Sequence, residues 1–484
     1  MKEKKIFNKK DWLIIFVILI IALFFRLYKI NIPLADFHSW RQVDTAAVAR
    51  NFLRFGFDLF HPRFDDLSSI QSGKENPEGF RMVEFPLYNA IFAFLYKVFP
   101  FFSLEVFGRL TSIFFSLISI AIIYYLALKE IGRIAAFLSA ITFSIMPFFV
   151  YYTRIILPEP TALSFGMISI FFLYHFQQEK NKIKKIFFYL ISLICFSSSL
   201  LIKPTMIFYS IPLIFLFFKK DSFYFLEKFY FYLYFFASIL PLIFWRIYIL
   251  NYPEGIPAYN WLITSVNTDS GQKDIFFRPA FFRWIFFERI NNLICGGYLT
   301  FFLILGIIDK KKSFLILSFF ISSLLYLFIF QGGNVQHEYY QILILPTIAF
   351  LIGKGITFLL ENKNKITSPI VAYFTVLFFF GFSFYFSFEK VRNNYNYPQD
   401  LVTIANIVKR LTLPEDKIVT DRQGDTTLLY LMDRRGAPAL YRDIEDLKKL
   451  GYTYLVSQNK DLVDKLKNNY QIVFESSNFA LIKL

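Results

Sequence analysis

Apolar runs about twenty residues long recur along this chain, and nothing constrains its fold more, because a helix of ~20 apolar residues is what crosses the hydrocarbon core of a bilayer. They lie near residues 12–30, 106–128, 134–152, 160–177, 184–202, 205–218, 226–249, 286–308, 313–330, 338–358 and 367–388. Inside a bilayer the backbone has no water to bond, so each run must be helical. About eleven spans are expected, and the chain reads as an α-helical polytopic membrane protein. Of the 484 residues, 56% are hydrophobic and 21% aromatic, with 67 Phe and 30 Tyr, against roughly 45–50% apolar in soluble chains. That excludes an ordinary soluble enzyme. The amino terminus, MKEKKIFNKKDWLIIFVILIIALFF, has the basic-then-apolar order of a signal peptide but no small-residue cleavage site, and reads as a retained first helix.

Lys and Arg number 52 against 36 Asp and Glu, a net charge of +16, and the position of that excess sets the sidedness. The segment 84–102, EFPLYNAIFAFLYKVFPFF, is the ambiguous one. If it does not cross, five basic clusters fall on the side of the basic amino terminus: Lys129 and Arg133; Lys180, Lys182, Lys184 and Lys185; Lys219, Lys220 and Lys228; Lys310, Lys311 and Lys312; Lys363 and Lys365. That is the positive-inside arrangement. Residues 31–105 are therefore expected to form one large outer loop with juxtamembrane helices. The other outer segments are 153–159, 203–204, 250–285, 331–337 and the tail. A transmembrane domain then covers 1–388, and 389–484, where composition becomes charged and KIVTD, YTYLVS, YQIVFESS and FALIKL have strand character, forms a small extracytoplasmic α/β domain.

Several chemistries find no support. RQGDTT in the tail lacks the second glycine and the lysine of a phosphate loop. Cys195 and Cys295 lie in apolar runs, which argues against a disulfide scaffold and a thiolate cluster. No HExxH or paired-His spacing supports zinc, and there is no tandem repeat. No metal, no cofactor and no nucleic-acid partner are expected.

The unusual polar residues collect on the outer segments. LADFHSWRQVDTAAVARNFLRFG, directly after the first span, sets Asp36 before a short amphipathic helix that starts near Ser39 and carries Arg41 and Asp44. A carboxylate at the membrane mouth serves as a base for a hydroxyl or as a cation ligand; the plainer alternative is a helix cap. FRMVEFPLYNAIF puts Arg81 and Glu84 before a Pro-broken aromatic helix, which is otherwise an interfacial anchor. YYTRIILPEPTA holds Arg154 and Glu159 at the rim of the hydrocarbon, either as an ion pair across the turn or with Arg154 gripping a phosphate, which its planar fork suits. In SSSLLIKPTMIF, Lys203 occupies a linker so short that its charge lies at the interface, an expensive place that points to function or to snorkelling. FQGGNVQHEYYQILILPTIAF opens the tenth span with His337, Glu338 and Tyr340 beyond a Gly-Gly hinge. Acids and cations at one membrane depth suit an anionic lipid headgroup. They fit group transfer from a lipid phosphate to a hydroxyl, an oxygen base activating the acceptor while cations stabilise the leaving phosphate.

The order of an outer Asp, WRQVDTA, EFPLYNAIF, GRLTS at the second span, RIILPEP and HEYYQILILP resembles the GT-C glycosyltransferases. It is most similar to the relatives of protein O-mannosyltransferases and of the aminoarabinose transferase that modifies lipid A. The resemblance covers the membrane part of the chain, and the tail resembles the extracytoplasmic domains of such enzymes. It implies a polyprenyl-phosphate-linked sugar as donor, inverting transfer without a nucleotide sugar, and a lipid, glycan or protein acceptor. It also implies an integral protein of the plasma (inner) membrane whose active site is extracytoplasmic, with membrane lipids as neighbours. Asp36 would match the first-loop acid, and Arg154, Lys203 and His337 would touch donor phosphate or sugar. Arg41, Arg81, Glu84, Glu159, Glu338 and Tyr340 complete the candidate substrate-binding set. Two departures stand out. The relatives show an Asp-Glu pair where Phe37 follows Asp36 here, so the base is Asp36 or Asp44. Where the lipid A enzymes have Lys before the Pro, Glu84 and Phe85 stand here, which implies a different donor or acceptor.

The rival classes are a transporter or flippase of lipid-linked saccharides and a polymerase or ligase of surface polysaccharide. A transporter calls for mid-span charges and internal duplication. A polymerase or ligase usually has its large outer loop late in the chain, whereas here it comes first.

Overall fold

The computed structural model describes residues 7–257, 275–311 and 313–484. Residues 258–274 of the expected 250–285 outer segment, Lys312 and the first six residues of the basic amino terminus lie outside the described residues. The chain forms two compact units, one of Met1–Tyr28, Leu110–Phe244 and Tyr259–Asn393, the other of Lys29–Arg109, Trp245–Ala258 and Asn394–Leu484.

The first is a helical membrane unit. Among the described residues five helices are long and apolar enough to cross a bilayer, or six if one bent pair is a single span. All eleven expected runs carry helix, but several are broken. The first helix, Lys9–Leu27, is closed at its start by a reciprocal cap: the Asn8 side chain accepts from the Asp11 amide and the Asp11 side chain from the Asn8 amide. Near its end Arg26 is fully buried, and the reason lies in another helix. Pro147 breaks the 134–152 run into Arg133–Ile145 and Pro147–Tyr152, and, having no N–H, it deprives the Phe143 carbonyl of its helical donor. Arg26 Nη2 donates to that carbonyl at 3.0 Å, Nη1 to Ser144 O at 2.9 Å, and Nε to Thr153 Oγ1 at 3.1 Å. The break is thus satisfied from outside the helix.

The 286–308 run, expected as one span, is two helices, Arg283–Ile294 and Leu299–Ile308, bent by 117°. Gly296 and Gly297 make the bend with φ of 56° and 84°, values that side chains rarely adopt. A Cβ on Gly296 would also lie 2.0 Å from the Ser383 carbonyl oxygen. The CGGY sequence carried this signal, and the apolar content around it masked it.

In the second unit, the ambiguous 84–102 segment contains a helix of only twelve residues, Leu87–Val98. At 1.5 Å per residue that is about 18 Å, short of a ~30 Å hydrocarbon core. The tail folds into a five-stranded sheet of order β2-β1-β3-β5-β4, with β1 Lys417–Thr420, β2 Arg435–Ala437, β3 Tyr454–Ser457, β4 Gln471–Glu475 and β5 Ala480–Lys483. β1 pairs in parallel with β2 and β3, while β5 is antiparallel to β3 and β4. The helix Gln399–Leu411 covers one face with Leu401, Ile404, Ala405 and Val408, an apolar stripe at helical spacing. The short β2 is paired on its far side by the first loop: Gly436 N donates to Asp65 O at 2.8 Å and Leu67 N to Gly436 O at 2.7 Å. Loop and tail are therefore one packed body, and residues 245–258 join it through Met82 N to Gly255 O at 2.8 Å and Trp245 Nε1 to Val83 O at 3.2 Å.

Candidate active site

The loop-and-tail unit holds the acids. Helix Ser39–Phe55 follows directly on Asp36 and buries Arg41, Gln42 and Asp44 along one side. Asp36 accepts from Gln42 Nε2 at 2.9 Å, one turn and a half further on, and faces Arg109 Nη2 at 3.8 Å. Both side chains are wholly buried. Arg109 is itself fixed by donating to the carbonyls of Ile30 and Ile32 at 2.7 and 2.6 Å. Asp44 has both oxygens engaged, Oδ1 by Thr426 Oγ1 at 2.6 Å and Oδ2 by Arg81 Nη2 at 3.1 Å. Burial nevertheless pushes its carboxyl above the ordinary value, against the pull of Arg81. Arg81 also donates to Gln71 at 2.6 Å and lies over the Phe64 ring. Arg41 meets Glu84 at 2.5 Å. Nearby, burial raises the Asp66 carboxyl to about 7 while Ser68 donates to its Oδ1 at 2.6 Å.

The membrane unit holds a second group. Lys203, where Lys182–Ile202 ends, forms a 2.7 Å ion pair with Glu159 in the first turn of Pro158–Gln178. Its ammonium also stands 5.1 Å from the Tyr340 ring centroid, a cation–π distance. Both charges are almost fully buried. Arg154 is fully buried as well. The His337 ring stacks on Tyr339 with centroids 5.2 Å apart and planes 10° from parallel, and Tyr339 packs on Tyr340 at 4.6 Å. Glu338 pairs with Arg289 at 2.5 Å, and Arg289 donates to Val335 O at 2.7 Å.

The eleven residues singled out in the sequence thus divide between the units. Asp36, Arg41, Asp44, Arg81 and Glu84 belong to one, and Arg154, Glu159, Lys203, His337, Glu338 and Tyr340 to the other. Glu159, expected as a partner of Arg154 if structural, is engaged by Lys203. Sequence reasoning missed Arg109, Arg289, Gln42 and Thr426. Arg109 had a readable signal, since a guanidinium opening an apolar span is costly unless it is used, whereas Arg289 sits among Glu288, Asn291 and Asn292 and did not stand out. The pairing of Thr426 with Asp44 had none. Among the described residues no group of three or more His, Cys, Asp or Glu is placed to hold a metal ion.

Residues 83–247 match the family described as dolichyl-phosphate-mannose-protein mannosyltransferase. None of the curated proteins matches the chain. Among solved structures, ArnT from Cupriavidus metallidurans bound to undecaprenyl phosphate superposes with a TM-score of 0.66 at 13% identity, covering 98% of each chain. The archaeal oligosaccharyltransferase AglB from Archaeoglobus fulgidus, in complex with an inhibitory peptide and a dolichol-phosphate, gives a TM-score of 0.56 at 12% identity over 93% of this chain and 70% of that one. The chain has the fold of the GT-C superfamily of membrane glycosyltransferases, as the resemblance read from its sequence implied. It is an integral membrane protein.

Proposed function

We propose that the protein is a glycosyltransferase that moves a sugar, with inversion, from a polyprenyl-phosphate donor to a hydroxyl of a lipid, glycan or protein acceptor on the extracytoplasmic face of the plasma membrane. The observation that carries this reading is the pairing of buried acids with arginines in the loop-and-tail unit, Asp36 with Arg109 and Asp44 with Arg81, in a chain whose fold over 98% of its length is that of a structure bound to undecaprenyl phosphate. Asp44 has both oxygens committed to Thr426 and Arg81 and acts as a positioning residue. Asp36, the residue that matches the first-loop acid of the resembling enzymes, is the base that takes the acceptor proton. Arg154 and Lys203 supply the charge that stabilises the phosphate as the sugar–oxygen bond breaks, with Tyr340 orienting Lys203. Arg41, Arg81, Glu84, His337 and Glu338 line the path of sugar and acceptor. The transmembrane domain is taken as 1–388 and the extracytoplasmic domain as 389–484.

The test incubates purified protein with radiolabelled polyprenyl-phosphate sugars and a membrane extract. Release of prenyl phosphate together with label in a new product is expected. Label that crosses the bilayer of proteoliposomes with its phosphate ester intact would replace the transferase with a transporter.

A further inference from the structure

One segment of the membrane unit is not used by the reading above. The helix Arg283–Ile294 is wound with i→i+5 hydrogen bonds along twelve residues, continuing through Cys295 N to Ile290 O at 2.9 Å. Such winding is rare, is mostly confined to a single turn, and occurs frequently at functional sites. Its consequence is geometric. Because each hydrogen bond reaches one residue further than in an α-helix, residues four and five apart share a face, so Trp284, Glu288, Arg289 and Asn292 are brought to one side. There they line, with Glu338 and Lys390, a cavity of about 200 Å³. Trp284 is 45% exposed.

The polar groups of this cavity alternate in sign. Arg289 is 2.5 Å from Glu338, Asn292 Nδ2 donates to Glu288 Oε2 at 3.1 Å, and Lys390 completes the rim. Two carboxylates and two cations leave the lining without net charge, so it favours neither a free anion nor a free cation. They match a ligand whose groups both donate and accept, which is the property of hydroxyls. A half-exposed indole beside them offers a flat apolar surface with a polar edge, the complement of a ring whose C–H bonds lie on one face and whose hydroxyls lie around its rim. We propose that this cavity binds a neutral sugar ring of the acceptor. The proposal deepens the transferase reading and rests on it for the word acceptor, whereas the binding of a sugar ring does not depend on it.

The experiment uses full-length protein in nanodiscs and has two readouts. In the first, tryptophan fluorescence is titrated with a panel of methyl glycosides of hexoses and pentoses. The expected result is quenching by at least one glycoside that vanishes in Trp284→Phe and needs about tenfold more ligand in Glu288→Gln, the size of one lost hydrogen bond to a charged group. In the second, the acceptor KM rises by about tenfold in Trp284→Ala while the donor KM is unchanged. Quenching that persists in Trp284→Phe, or no quenching by any glycoside, overturns the site whatever the turnover. An acceptor KM unmoved in both Trp284→Ala and Glu288→Gln shows Trp284 to be a headgroup anchor and overturns it too. If the wild type releases no prenyl phosphate from any donor, the transferase reading falls, and quenching lost in Trp284→Phe still sustains the sugar site.

Discussion

The two units bury charge by different means. In the loop-and-tail unit four buried or partly buried cations meet acids, Arg41 with Glu84, Arg81 with Asp44, Arg50 with Asp65 and Arg109 with Asp36, while Arg434 donates to the carbonyls of Lys409 and Thr412. In the membrane unit two buried cations mostly meet backbone oxygens at broken or ending helices. Arg26 satisfies the carbonyls freed by Pro147, and Lys354 donates to Gly306 O at 3.0 Å and Asp309 O at 2.9 Å where Leu299–Ile308 ends. Those cations mend the backbone. Lys203 with Glu159 and Arg289 with Glu338 are instead ion pairs with both side chains buried or half-buried, and the same unit also sets Arg133 on Asp11, Lys219 on Glu130 and Lys354 3.8 Å from Asp309. The comparison separates structural charge from charge available to a substrate.

The largest expected effect comes from breaking the most buried of these pairs. Lys203→Ala leaves Glu159 charged and buried, and stability measured by thermal melting in detergent should fall by about 3–5 kcal/mol. The double variant Lys203→Met with Glu159→Gln should recover most of that stability while donor turnover stays lost. If the double variant also turns over donor, the pair belongs with the structural cations. Arg26→Met should cost less, about 1–3 kcal/mol for the orphaned carbonyls, and the surviving folded protein should transfer at the wild-type rate. A selective loss of transfer in that variant would blur the distinction between the two kinds of cation.

A smaller effect lies in the loop-and-tail unit and depends on pH. Asp66 has an ordinary value of 3.8 and is raised to about 7 by burial, so its neutral form is favoured in the fold. Its contribution to stability is fully present below 3.8 and is lost as the pH rises through 7, with a slope of about 1.4 kcal/mol per unit at most. Melting temperatures between these limits should therefore drop with rising pH, and Asp66→Asn should flatten the curve. An unchanged slope in Asp66→Asn would show that another group sets it.

Much of this was legible in the sequence, and the reasons differ by region. The apolar runs announced helices because bilayer length is a strict requirement. The strands at 417–420, 454–457, 471–475 and 480–483 showed as KIVTD, YTYLVS, YQIVFESS and FALIKL because the fourth strand alternates and the other three are short, buried apolar runs. β2 did not show, since three residues are too few for a period and its partners are remote in sequence, β1 on one side and Asp65 and Leu67 on the other. The bend at Gly296 and Gly297 was hidden by the apolar residues on either side. Among the candidate site residues, types and local order were readable, but partners were not: nothing local tells Glu159 that Lys203 lies beside it, or Asp44 that Thr426 does.

The most direct test of the proposed chemistry is single-turnover transfer by Asp36→Asn and Asp44→Asn, each shown to melt as the wild type does. Asp36→Asn is expected to slow transfer by about 10²–10⁴-fold, the span of a lost general base, and Asp44→Asn by less. Full transfer by both variants, in an assay that detects the wild type, would contradict it.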